Sequence, residues 1–166
     1  MSNNAVSAFR QAFLSRIFFT CLSALSNALI PDHVPDAFIF PFRPERPGDH
    51  VVKWIFGGLA RWDSHHFVAI SQRGYTNEAK FAFFPLFPAL ITAAREYPLW
   101  PIAWLVSSPF RDILAGWILS CTFFCVACAI LYVSFKYYEI FRRESSYTTC
   151  NAIGHCWLLT IKCTSK

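Results

Sequence analysis

The sequence predicts an all-α membrane protein: about three transmembrane or re-entrant helices, joined by a polar, partly helical loop. Three observations carry this. Hydrophobic residues make up 55% of the 166 positions and charged residues only 15%, against about one quarter charged in a soluble domain. The apolar residues run in blocks and are not spread at amphipathic spacing. One block, residues 113–135, has no charge at all.

That block reads ILAGWILSCTFFCVACAILYVSF. A helix of about 20 residues crosses the hydrocarbon core of a bilayer, so it is long enough to span. Asp112 and Lys136 bracket it, and Tyr132, Tyr137 and Tyr138 suit an interfacial belt.

A second span is expected over AFLSRIFFTCLSALSNALI, residues 12–30, ending at Pro31–Asp32. Its one charge, Arg16, lies close enough to the start to snorkel towards the interface. Arg10 and Arg16 favour a cytoplasmic N-terminus, which puts the following loop on the luminal side. A cleaved signal peptide is the alternative. The apolar stretch is longer than a usual signal core and no small-residue cleavage site follows it cleanly.

The third segment, FAFFPLFPALITAA at 81–94, is short and carries Pro85 and Pro88. Proline removes a backbone donor and kinks a helix, and membranes tolerate this only where neighbouring protein satisfies the freed carbonyls. The expectation is a short broken span or a re-entrant helix packed on its neighbours. The chain thus divides into residues 1–30 (N-terminus and first span), 31–80 (polar loop), 81–138 (the other two spans) and 139–166 (a more polar tail).

Residues 31–80 hold most of the chemistry. Six acids (Asp32, Asp36, Glu45, Asp49, Asp63, Glu78) are balanced by six bases (Arg43, Arg46, Lys53, Arg61, Arg73, Lys80). A nucleic-acid groove needs one-sided basic charge, so nucleic acid is not an expected partner. The proline-rich PFRPERPG at 41–48 reads as extended, VVKWIFGGLA at 51–60 as a short interfacial helix, and 62–74 as a helix stopped by Gly74. On that last helix Asp63, His66, Phe67 and Ile70 share one face. Asp63 and His66 are then expected to meet, with His65 pairing with Arg61 on a neighbouring strip. A solvated interfacial helix would look the same, and the spacing names no reaction.

Cys121, Cys125 and Cys128 spell CxxxCxxC, an iron–sulfur pattern. They lie inside the best span with no polar second shell, which a cluster needs, and read as small packing residues. The pair His65–His66 is a poor metal site, because adjacent helical residues point about 100° apart. No metal is expected.

Three segments in order resemble one family: NALIPDHVPDAF at 27–38, GGLARWDSHHFVAIS…GY at 57–75 and FAFFPLFPALI at 81–91. They are similar to the N-terminal portion of the GPI mannosyltransferase 2 family, over roughly Arg10 to Tyr138. The resemblance implies a fragment of a polytopic GT-C type glycosyltransferase of the endoplasmic reticulum membrane, with the 31–80 loop luminal. It implies transfer of the second, α1,6-linked mannose to the GPI precursor glycolipid. The donor is dolichyl phosphate mannose, and no other cofactor is used. On this pattern Asp63 is the general base and Asp32 the next choice. Arg61, His65 or His66 would neutralise the departing phosphate, and Trp62 and Glu78 complete the substrate-binding set.

Residues 139–166 do not look like the family's continuation, so a truncated chain, inactive alone, is expected. A small membrane subunit fits as a partner. The competing reading makes the chain itself a non-catalytic subunit or assembly factor, and a hydrolase using Asp63 and His66 is a weaker third.

Overall fold

The computed structural model describes residues 2–30 and 38–163, with side chains over 5–30 and 38–142. Among the described residues every regular element is helical: α1 (Ser2–Leu29), α2 (Pro47–Phe56), α3 (Asp63–Arg73), α4 (Leu86–Glu96) and α5 (Ser108–Cys163). Short 3-10 turns lie at Glu78–Ala82 and Trp100–Ile102.

Two of these helices, not three, are long and apolar enough to cross a membrane: α1 through Ala5–Leu29 and α5 through Ser108–Arg142. The expected span 113–135 lies within α5, whose helix continues into the segment read as a tail. The aromatic-proline segment differs from a span for a physical reason. α4 has 11 residues, about 16 Å of helix, against a hydrocarbon core of about 30 Å. Its prolines do not kink it. Pro85 is the N-cap and Pro88 falls in the first turn, where backbone N–H groups have no helical partner in any case. What remains of the expectation is a short helix packed on its neighbours.

α5 is the spine. α1 runs antiparallel beside it: Trp117 Nε1 donates to Thr20 Oγ1 at 3.0 Å, and Arg16 lies over the Phe124 ring. α2 runs in the direction of α5, from Gly48 beside Leu105 to Phe56 against Trp117. The chain turns at Gly57–Ala60, and α3 returns antiparallel to α5, with Val68 packed near Ile113. α4 also packs antiparallel on α5, Ile91 close to Gly116. The polar loop is therefore a helical hairpin laid against the first turns of α5.

The hairpin is fixed at its open end by Asp49, which is 0% exposed. Its Oδ2 accepts from the N–H groups of Glu45 and Arg46 at 3.0 Å, and its Oδ1 from Ser107 N–H at 2.8 Å. These bonds close the N-terminus of α2, whose first residue, Pro47, has a fixed φ suited to that position, and tie it to the start of α5. Gly48 donates to Leu105 O at 3.1 Å, and a Cβ there would lie 2.7 Å from that oxygen. Only glycine permits the approach. Helix thus begins at Pro47, earlier than the expected residue 51, and Gly57 ends it sooner.

Burial opposes the charged form of Asp49, but the three N–H donors outweigh it and hold the carboxyl below its ordinary 3.8. A carboxyl lowered by folding contributes stability above its unfolded pKa and loses it as pH falls through the folded value. Asp49→Asn turns an amide N–H2 towards donors and should cost about 2–4 kcal/mol at neutral pH. Thermal melts in detergent should show that deficit shrinking as pH falls below about 4, since only the wild type loses the carboxylate's contribution.

Candidate active site

Asp63 is the first residue of α3 and stands at the tip of the hairpin, exposed. Its carboxylate makes no hydrogen bond or ion pair among the described residues. The residue before it is unusual. Trp62 has φ 52° and ψ −122°, the single non-glycine residue with positive φ among those described, and its indole is 73% exposed. Such a backbone costs on the order of 1–3 kcal/mol. Glycine would adopt it freely, yet the position carries the largest side chain.

The expected partnerships differ. His65 does not meet Arg61: it turns inward, and its Nδ1 accepts from Phe40 N–H at 3.1 Å. That bond leaves the proton of the neutral ring on Nε2. Burial, and then the neighbouring His66, lower its pKa from the ordinary 6.5, so at neutral pH His65 is an uncharged donor. His66 does not reach Asp63 either. Its ring lies against Phe83 (4.8 Å, 18°) and Phe38 (5.0 Å), with Nδ1 buried and unpartnered. The aromatic wall from 81–84 takes up the face that helical spacing offered to Asp63. Arg61 reaches back to Asn27 Oδ1 of α1, which brings the loop before α3 onto the end of the first span. Glu78 is exposed at the entry to its 3-10 turn. Asp32 lies outside the described residues. The structure thus brings Arg61, Trp62 and Asp63 to one turn and sends both histidines into packing.

A centre that the sequence did not reveal holds the rest. Asp112, read as a span boundary, is 1% exposed and accepts from Ser71 Oγ at 2.6 Å, from Gln72 Nε2, and from Arg95 Nη1 at 3.1 Å. Arg111 donates to Arg95 O at 3.2 Å. α3, α4 and α5 meet at this one carboxylate. Between it and the hairpin tip runs a cleft of about 350 Å3, with Ser64, Phe67, Phe87 and Ile113 among its lining. Its walls are mostly apolar, and Ser64, one residue from Asp63, is among them. Among the described residues no cluster of His, Cys, Asp and Glu could hold a metal ion.

The stretch of chain that builds this hairpin and the helices around it falls within a known family. The family model described as Mannosyltransferase (PIG-V) matches residues 5–153. The chain belongs to the PIG-V mannosyltransferase family. The mouse (Mus musculus) GPI alpha-1,6-mannosyltransferase 2 is 43% identical over 99 residues, 59% of this chain and 20% of its own length. The human (Homo sapiens) protein of that name is 38% identical over 124 residues, 74% of this chain and 25% of its own length. GPI mannosyltransferase 2 of Drosophila melanogaster is 32% identical over 83 residues, 48% of this chain and 18% of its own length. The chain therefore spans about a quarter or less of the relatives it matches. No solved structure matches.

If this PIG-V segment keeps Trp62 in a strained backbone for the sake of its ring, Trp62→Gly should separate stability from activity. The variant should melt higher than wild type, by the equivalent of about 1 kcal/mol or more. Mannosyl transfer measured in the context of a complete family enzyme should fall.

Proposed function

We propose that this chain is the acceptor-activating portion of an endoplasmic reticulum mannosyltransferase that adds the second, α1,6-linked mannose to the GPI precursor, with dolichyl phosphate mannose as donor. The observation that carries the reading is Asp63: an unpaired carboxylate at the tip of a hairpin held beside a membrane-crossing helix. Family membership supplies the reaction class, and the names of the relatives supply the linkage.

Depth supports the assignment. The hairpin tip lies against Trp117, five residues into α5 from Asp112, or about 7.5 Å along the helix. With the luminal edge of the span at Asp112, the tip lies within about 7.5 Å of that edge, just below the headgroups. Two lipid-anchored substrates can bring their reacting groups together only near that edge. The apolar cleft beside it accepts hydrocarbon, while Asp63 faces out.

The step follows from these positions. Asp63 takes the proton from the 6-hydroxyl of the acceptor mannose as its oxygen attacks C1 of the donor mannose. The C1–O bond to phosphate breaks on the opposite face, and dolichyl phosphate leaves with the electron pair, inverting C1. One carboxylate suffices because the phosphate leaves as a stable anion and needs no proton. Arg61, two residues away and hydrogen-bonded to Asn27 near the end of α1, is the cation that this reading turns towards that anion. His65, a neutral Nε2–H donor, contributes a hydrogen bond at most and no charge. The loop and Asp63 face the lumen in this reading.

A chimaera tests it. Residues 5–142 of this chain replace the matched segment of the human relative in cells lacking that enzyme, and surface GPI-anchored proteins are counted by flow cytometry. The chimaera should restore them. Asp63→Asn should lower transfer in microsomes by about 10²–10⁴-fold, the usual worth of a general base, with protein level unchanged. Full rescue by Asp63→Asn would end the base assignment. Failure of the unmutated chimaera would favour the subunit reading.

A further inference from the structure

The expected snorkelling of Arg16 does not occur. Its guanidinium carbon lies 3.7 Å from the centre of the Phe124 ring, and it lines the deep end of the cleft with Cys121. Its Nε is buried without a partner, and the guanidinium makes no hydrogen bond or ion pair among the described residues. Cys121 and Phe124 lie nine and twelve residues into α5 from Asp112. That is about 14–18 Å, close to half of the hydrocarbon thickness. A fixed positive charge with unmade hydrogen bonds thus sits near the bilayer midplane. An aromatic face offsets part of that cost, but intramembrane arginines otherwise pair with an acidic side chain or a backbone carbonyl, and Arg16 has neither among the described residues.

We infer that Arg16 is a docking point for a membrane-spanning helix from outside these 166 residues, one that carries an Asp or Glu near its middle. Depth excludes the other sources of an anion. A lipid phosphate sits at headgroup level, roughly 15 Å away. A second copy of this chain has nothing to offer, since neither Ala5–Leu29 nor residues 113–138 contain an acidic residue. Asp112 is taken by Arg95. Only a protein side chain on another helix delivers a carboxylate to this depth. Arg16 opens onto a cleft of about 350 Å3 lined by residues of α1, α4 and α5, and the start of α4, at Leu86, lies beside Phe123. This inference is independent of the catalytic reading.

The experiment reconstitutes the labelled full chain in phosphatidylcholine vesicles at pH 8, with a designed Leu/Ala transmembrane helix bearing central Asp or Leu. Association is read by energy transfer. The Asp helix should bind at least ten-fold more tightly than the Leu helix. Arg16→Leu should remove that preference, Arg16→Lys should keep part of it, and Arg16→Asp should prefer a guest helix bearing central Arg. The charge-swapped pair shows that any loss is not a failure to fold. Equal binding of Asp and Leu guests to wild type, or an Asp preference that survives Arg16→Leu, overturns the inference. So does a preference seen only when anionic lipid is added, which would assign the anion to a headgroup.

Discussion

The ion pair between Asp112 and Arg95 is the constraint on which the rest of the arrangement depends. α3 is only 11 residues long and α4 the same, too short to hold helical structure alone in water. Both gain their place by ending on the same buried carboxylate, α3 through Ser71 and Gln72, α4 through Arg95. A buried ion pair is not by itself a large source of stability, because desolvation cancels most of the attraction. Its value here is registry. Once the charges are buried, sliding either short helix along α5 would strand one of them.

Registry at one end becomes position at the other. Asp49 pins the open end of the hairpin to Ser107, and Asp112 pins the return helix four residues beyond Ser108. The α2–α3 turn is left to extend along α5, and Arg61 fastens it to α1 through Asn27. The strained backbone of Trp62 sits in that turn, immediately before Asp63. Two interior carboxylates are therefore consumed in holding a third one free. In the proposed reading, that third carboxylate is the base that meets the two lipid-borne substrates.

The sequence showed the helix of 113–135 plainly, because a charge-free run of that length has few other solutions. α3 was legible to within a residue from Gly74 and the aromatic spacing. Asp63 was picked out by its neighbours and by resemblance. The interior polar residues were not legible. Asp49 and Asp112 look in sequence like solvated charges, and only the pairing of distant segments makes them hubs. His65 and His66 were misplaced for a related reason. Helical spacing fixes which face a side chain occupies but not what packs on that face, and Phe38, Phe40 and Phe83 come from outside the helix. The proline pair at 85 and 88 suggested a broken span, because a proline's effect depends on whether it falls in the first turn, and that boundary is not written locally.

A double-mutant cycle on Arg95→Met and Asp112→Leu, measured as unfolding free energy of the full chain in detergent, tests the central claim most directly. Each single change should cost about 3–5 kcal/mol, since it leaves a buried charge unpaired. The double variant should recover much of that loss, with a coupling of at least about 1.5 kcal/mol. Single costs that simply add, to within about 0.5 kcal/mol, would show that α3 and α4 are held by something other than this pair.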